Sequence, residues 1–180
     1  MIFKIKIREL NVIPTFAQKS YYKMKEQIKN IEFGKGIGAL VFGQSRKEVE
    51  AILGKPSEVE RYYLSEEDDD ETEAWHYDNL FLSLSFDEEH NWKLSSVAVS
   101  SDFYIINGQS LIGKSKDEVF ELFEKNQWGE PVEDPEVSQD APGSSLYHVD
   151  NGSLSLWFEG EELTEMQLGP LLDNENIIWP

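Results

Sequence analysis

Three histidines are the first residues to weigh for chemistry: His76, His90 and His148. Two of them stand in matching contexts, Trp75-His76-Tyr77-Asp78-Asn79 and Tyr147-His148-Val149-Asp150-Asn151. Successive residues of a strand point to opposite sides. If the flanking large residues face a core, both histidines face away from it. No His-x-x-x-His spacing occurs and the chain has no cysteine, so the usual transition-metal ligands are not grouped, and no metal or cofactor is expected. Serines are plentiful, yet none sits in a Gly-x-Ser-x-Gly elbow. Gly34-x-Gly36-x-Gly38 lacks the G-x-G-x-x-G spacing of a dinucleotide fingerprint. The acidic run Glu66-Glu67-Asp68-Asp69-Asp70-Glu71 lacks the alternate carboxylates, central glycine and closing glutamate of a calcium loop. No catalytic residue is nominated, and the chain is not expected to be an enzyme.

The elements that position the histidines are written twice. Gly43-Gln44-Ser45-Arg46-Lys47-Glu48-Val49 runs into Leu53-Gly54-Lys55-Pro56, and Gly113-Lys114-Ser115-Lys116-Asp117-Glu118-Val119 runs into Trp128-Gly129-Glu130-Pro131. Such self-similarity decides the architecture before anything else. Ser45 with Glu48, and Ser115 with Glu118, are capping boxes that start helices. Gly54 and Gly129 suit the turn after a helix, and Pro56 and Pro131 forbid its continuation. Leu80, Leu82, Leu84 and Phe86 alternate with Phe81, Ser83 and Ser85, and Leu154, Leu156 and Phe158 alternate with Ser153, Ser155 and Trp157. That period of two marks strands with one buried face.

The remaining chain is read as follows. Residues 2 to 9 alternate like a strand, and Thr15 to Ile31 predicts a helix behind Pro14. Phe33 to Gly38 predicts a glycine-rich connector, and Val59 to Leu64 a strand. Asn151-Gly152 signals a type I′ hairpin, and Asp78-Asn79 does so more weakly. Phe103 to Ile106 predicts an extended link, and Gln127 to Gly143 a loose, proline-rich loop. The tail Ile177-Ile178-Trp179-Pro180 either packs on the core or marks a truncation.

The expected fold class is therefore α+β. Two tandem helix-plus-antiparallel-strand repeats share one sheet with the helices on one face, and an N-terminal strand and helix are added. The divisions fall at 1–38, 39–106 and 107–180, the last including the tail. The outer sheet face then carries the candidate partner-binding residues His76, Phe81, Ser83, Ser85, His148, Ser155 and Trp157. Exposed aromatics among small polar groups suit a binding patch. The other reading is that the N-terminal helix or the tail covers this face. Glu66 to Glu71 form a candidate acidic rim.

Charge narrows the choice of partner. The 180 residues carry a net −19 at neutral pH, unevenly placed. Residues 1–35 hold eight Lys or Arg against three Glu, and the rest hold eight against thirty-two acids. Such a body repels nucleic acid and anionic membrane and attracts a basic protein. The start lacks a signal-peptide core, no apolar run is long enough to span a bilayer, and a cysteine-free chain suits a reducing compartment. The expected location is cytoplasmic.

Gly43-x-Ser45-x-x-Glu48-Val49-x-x-x-Leu53-Gly54-x-Pro56, then Trp75-x-Tyr77, then a strand ending Phe86-Asp87, resembles a known repeat. It is that of the β-lactamase inhibitor protein and of the small outer-membrane assembly lipoproteins of the SmpA/OmlA (BamE-like) type. The likeness covers about residues 40 to 100 and, more faintly, 108 to 169. It implies two units forming one sheet with a concave binding face. It does not carry over outer-membrane assembly or β-lactamase inhibition, because this chain has neither the lipidated cysteine nor the disulfides of those families. The function expected is that of a non-catalytic acidic module binding a basic protein, as an inhibitor or immunity-type protein does. The alternatives are a small enzyme or ligand-binding protein using the same face, and a structural or assembly protein.

Overall fold

The computed structural model describes residues 15–63, 70–140, 143–149, 153–173 and 176–180. Three helices begin at capping boxes. Thr15 and Gln18 start α1 (Phe16–Gln27), Ser45 and Glu48 start α2 (Arg46–Leu53), and Ser115 and Glu118 start α3 (Lys116–Asn126). In α2 the Ser45 amide donates to Glu48 Oε2 at 2.8 Å and the Glu48 amide donates back to Ser45 Oγ at 3.4 Å. Hydrogen bonds from the Ser45 hydroxyl and amide hold the Glu48 carboxyl below its ordinary range. The helix expected over 15–31 ends at Gln27. There the Gln27 carbonyl accepts the Ala39 amide at 2.7 Å and Ile28 turns fully into the core.

The glycine-rich stretch is not a mere connector. It forms a small antiparallel sheet of β1 (Ile31–Glu32), β2 (Gly36–Ile37) and β3 (Leu40–Val41). Gly36 has φ +136°, and a Cβ there would run into the Leu40 carbonyl, so only glycine fits.

The main sheet has eight strands: β4 (Glu58–Tyr63), β5 (Glu71–Tyr77), β6 (Leu82–Asp87), β7 (Lys93–Val99), β8 (Val132–Asp134), β9 (Ser144–Val149), β10 (Leu154–Glu159) and β11 (Glu162–Leu168). Their order is β4-β5-β6-β7-β11-β10-β9-β8, and every pair is antiparallel. The protein is thus α+β with one large antiparallel sheet. The strand alternation is as read: Leu82, Leu84, Phe86, Leu154, Leu156 and Phe158 are all buried. Val49 of α2 and Val119 and Phe123 of α3 belong to the same core, so both helices cover this inner face.

Three connections differ from expectation, and the tail takes one of the two courses expected of it. The segment expected as a loose loop over 127–143 contains β8 and a short helix, α4 (Pro135–Asp140). Asp134 accepts the Glu136 amide at 3.0 Å and Pro135 opens the helix, a start signal present in the sequence but not used. Asp78-Asn79 does not make a two-residue hairpin turn. Asp78–Leu80 is a 3₁₀ turn, closed by Phe81 in the left-handed region at φ 51°. The link over 103–106 turns at Phe103 and is extended only at the bridge residues Ile105 and Ile106, and it buries Tyr104, whose hydroxyl donates to the Leu80 carbonyl at 2.7 Å. The tail packs back: β12 (Leu171–Asp173) pairs with β13 (Asn176–Ile178), and Trp179 meets His90 edge-on at 5.8 Å. The expected strand over 2–9 and the Asn151-Gly152 turn lie outside the described residues.

One buried ion cluster pins α2 to the sheet. Glu73 on β5 is 4% exposed. It accepts from Arg61 Nε and Nη2 at 2.9 and 2.7 Å and from Trp75 Nε1 at 2.7 Å, and Arg46 at the start of α2 lies 3.1 Å away. Burial pushes its carboxyl up, but hydrogen bonds from Trp75, Arg61 and Arg46 outweigh this and leave it below the ordinary range. Arg46 also stacks over Trp92 at 4.5 Å.

Two predictions follow from this architecture. Leu84 and Leu156 are fully buried, so Leu84→Ala and Leu156→Ala should each lose about 2–5 kcal/mol. Ser83→Ala and Ser155→Ala, on the other side of the same strands, should each lose about 1 kcal/mol or less. Equal losses in urea titrations would mean the faces are assigned wrongly. For Glu73 the folded pKa is the depressed one, so its stabilisation is complete above the ordinary carboxylate range and disappears as pH falls through the lowered value. Glu73→Gln should therefore be less stable than the parent at neutral pH, with the gap closing in acid. A gap that is constant with pH would remove the ionic account.

Candidate functional site

Cross-strand pairing places one row of side chains across the entire outer face. In register it reads Glu58, His76, Ser83, Ala98, Gln167, Ser155, His148 and Val132. Direct cross-strand neighbours touch. His76 Nδ1 and Ser83 Oγ are 2.9 Å apart, and His148 Nδ1 and Ser155 Oγ are 3.1 Å apart. Each ring also faces a carboxylate from the adjoining outer strand. Glu60 Oε2 lies 3.5 Å from His76 Nε2, and Asp134 Oδ2 lies 3.4 Å from His148 Nε2. Asp134 is held below the ordinary range first by the Glu136 amide and also by His148.

An imidazole between a hydroxyl and a carboxylate has the composition of a nucleophile relay. Such a relay also needs donors for a developing oxyanion. Ser83 and Ser155 lie on interior strands, β6 and β10, which pair on both sides. What the arrangement does as it stands is lock two rings and present two ordered hydroxyls. The histidines are five strand spacings apart, roughly 24 Å at ~4.8 Å per strand, so they cannot share a ligand ion. Among the described residues no three His, Asp or Glu are placed to hold a metal.

The outer face is hollowed at two places, both floored by β6 and β7. The first cavity, about 290 Å³, is lined by His76, Ser83, Phe81, Asp78 and Glu165. The second, about 280 Å³, is lined by Ser85, Ser96, Ser155 and Gln167, with Tyr62 on one side and the tail residues Leu172 and Ile177 on the other. Small side chains make the floors, and Gln167 Nε2 donates to Ser96 Oγ at 3.0 Å. No described side chain of α1 lines either hollow; its Met24, and Ile28 just past its end, pack with the core instead. The tail, by contrast, walls one end. A third hollow, about 740 Å³, lies at the far end of α3 between Phe120, Phe123, Gly129 and Pro131.

The candidate residues divide accordingly. His76, Phe81 and Ser83 meet in the first cavity, and Ser85 and Ser155 in the second. His148 and Trp157 line neither of these two, and Trp157 is half-buried beside Glu165 and Leu146. Phe81 is not part of the strand alternation: it sits at the left-handed corner before β6 and is 57% exposed. Of the acidic rim, Glu66, Glu67, Asp68 and Asp69 lie outside the described residues. Asp70 is exposed, and Glu71 opens β5 rather than lying in a loop, with Arg61 Nη1 3.8 Å from it.

Glu165 is the residue the sequence reading missed. It lies on the outer face because Met166 and Leu168 face inward and Gln167 lies outward, with a bulge at Thr164 on its own strand, opposite Trp157 and Phe158. Alternation counted backward from Leu168 would have found it. It is half-buried, and no described residue offers its carboxylate a hydrogen bond or a counter-charge. Burial alone pushes it above the ordinary range. A folded pKa above the unfolded one means the stabilisation is full at low pH and is lost as pH rises through the raised value. Glu165→Gln should therefore match the parent in urea titrations near pH ~4 and exceed it near pH ~7. A variant less stable at neutral pH would mean the carboxylate has a partner in the folded protein.

No family model and no curated protein matches this chain. A solved structure of an extracellular protein containing an SCP domain, from Bacillus anthracis str. Ames, is similar over 71% of this chain at 17% identity and a TM-score of 0.45. The match takes in 43% of that protein, so this chain spans less than half its length.

Proposed function

We propose that this chain is a non-catalytic module that binds a basic protein on the outer face of its sheet, in the manner of an inhibitor or immunity-type protein. The observation that carries the reading is an aromatic-edged, hollowed and carboxylate-bearing sheet face on a chain of net charge −19. Interfaces of this kind place large aromatics in a desolvated centre and charges at the rim. A reducing, cytoplasmic setting accords with the cysteine-free sequence.

The finer reading of the fold belongs here too. The chain is two tandem repeats like those of the β-lactamase inhibitor and BamE-like families, and several paired features support this. Strands run outward from the middle of the sheet as β7-β6-β5-β4 on one side and β11-β10-β9-β8 on the other. The Gly43 amide donates to the Leu94 carbonyl and the Gly113 amide to the Leu163 carbonyl, each at 2.9 Å. The two His–Ser pairs occupy corresponding strands. Superposing 39–106 on 107–180 tests this; unrelated strand paths would end it.

The binding reading is tested by capture from source-cell lysate at low and high salt, followed by mass spectrometry. One basic protein should be recovered and then released by salt. Trp157→Ala should speed its dissociation by the factor corresponding to about 2 kcal/mol or more. Neutralising Glu66 to Asp70 should instead slow association and flatten its salt dependence. Turnover in a hydrolase and transferase screen, lost on changing His76 or His148, would favour the enzyme alternative. Recovery of nothing specific would end the binding reading.

A further inference from the structure

The first outer-face cavity has a composition that none of the paired features requires. Two carboxylates line it, Asp78 from the 3₁₀ turn and Glu165 from β11. No lysine or arginine lines it among the described residues, although the basic residues Arg46, Arg61, Lys93 and Lys116 are all engaged elsewhere over aromatic rings or carboxylates. Neither carboxylate is given a hydrogen bond or ion pair by the described residues. Glu165 is moreover half-buried, at the middle of the sheet, where a lone charge is costly. Beside them stands Phe81, held outward by a left-handed backbone that a bulky residue adopts only at a cost. Ser83 Oγ, fixed by His76 Nδ1, supplies an ordered oxygen on the floor.

From these residues we infer that the cavity between β6, β7 and β11 receives the guanidinium group of an arginine carried by the protein partner. This rests on the protein-binding reading and names the group that the partner inserts. The choice of cation follows from the lining. A guanidinium is planar, stacks on an aromatic face and donates to several oxygens at once. An ammonium is a strongly hydrated point charge that gains less from a ring and gives up more water. At about 290 Å³ the space lies just under the range of drug-sized pockets, the scale of one long side chain rather than of a cofactor. The half-buried Glu165 carboxylate then has a purpose: it is partly desolvated before the partner arrives and is neutralised when it does, with the exposed Asp78 adding charge at the mouth.

The test uses Nα-acetyl-arginine methylamide as probe, titrated into the full-length ¹⁵N-labelled chain and followed by NMR. Saturable shifts should centre on Ser83, Ala98, Phe81 and Glu165. The citrulline counterpart, similar in shape but uncharged, should produce none, and the lysine counterpart should bind at least several-fold more weakly. Glu165→Gln, expected to fold at least as stably as the parent, should lower the association constant for the arginine probe tenfold or more. Equal response to citrulline, equal binding by lysine, shifts centred elsewhere, or unchanged affinity in Glu165→Gln would each overturn the inference. The two readings separate cleanly. A basic protein captured equally well by Glu165→Gln leaves the module and removes the arginine pocket. Probe binding with no protein captured leaves the pocket and removes the module.

Discussion

The outer face exists only because β7 pairs with β11. Three registered pairs make that seam, Val99 with Met166, Ala98 with Gln167, and Val97 with Leu168. On the inner side it brings Val97, Val99, Met166 and Leu168 together beneath the helices, all essentially closed to solvent. On the outer side it joins Ala98 to Gln167, so the row of side chains continues from one half of the sheet to the other. Both hollows straddle this line: Ser83 and Ala98 face Glu165 across it in one, and Ser85 and Ser96 face Ser155 and Gln167 in the other. The contact is distant in sequence, and such pairings carry a large loop-closure entropy. The intervening chain lowers that cost by being tied down on the way. The Ile31 amide donates to the Ile105 carbonyl, the Ile105 amide donates to the Lys29 carbonyl just past α1, and Tyr104 anchors to Leu80.

Two glutamates of neighbouring depth show how differently the faces are treated. Glu73 on the inner side is almost sealed off, yet every oxygen is satisfied by Arg61, Arg46 or Trp75. A buried charge so paired is tolerable, and removing one partner would be costly. Glu165 on the outer side is less buried and has no such partners. The same burial effect acts on both and is outweighed in one case only. A fold that can satisfy Glu73 with four donors is able to satisfy carboxylates where structure alone is at stake. That contrast sets Glu165 apart as a half-buried carboxylate that no described residue satisfies.

The fold was legible wherever local chemistry decides the conformation. Capping boxes at Ser45 and Ser115 and the alternation Leu82-Leu84-Phe86 are short-range signals, and each element appears where those signals stand. The antiparallel sheet and the buried face of its strands came from the same pattern. Misreadings cluster where a tertiary contact overrides the local one. The glycines after Ile31 look like a linker because their role, a close backbone approach in a three-stranded sheet, requires a partner strand. Phe81 counts as a strand residue by spacing alone, whereas the 3₁₀ turn before it shifts the chain into a left-handed corner. Of the candidate residues, five line the two hollows, and His148 and Trp157 line neither. Glu165 escaped because the bulge at Thr164 breaks the alternation counted forward from Leu163.

The shape of the face follows from the size of its floor residues. Ser83, Ser85, Ser96 and Ala98 are the outward residues of β6 and β7, and none projects far. Tyr62 and His76 stand on one side of them, and Glu165, Trp157 and Gln167 on the other. A large residue at any floor position would fill the trough, and a flat polar sheet would remain. Small residues on a solvent-facing strand gain little for stability, since they bury little apolar area. Their effect is on shape: the strands form the bottom of a trough between aromatic and acidic walls. The same logic protects the free edges. The outer strand β4 carries Glu58, Glu60 and Arg61, and the opposite edge strand β8 is three residues long and ends at Pro135. Charges, shortness and proline each discourage another strand from adding there. With the edges guarded and the helices covering the inner side, the trough is the part of the sheet surface that the described residues leave uncovered.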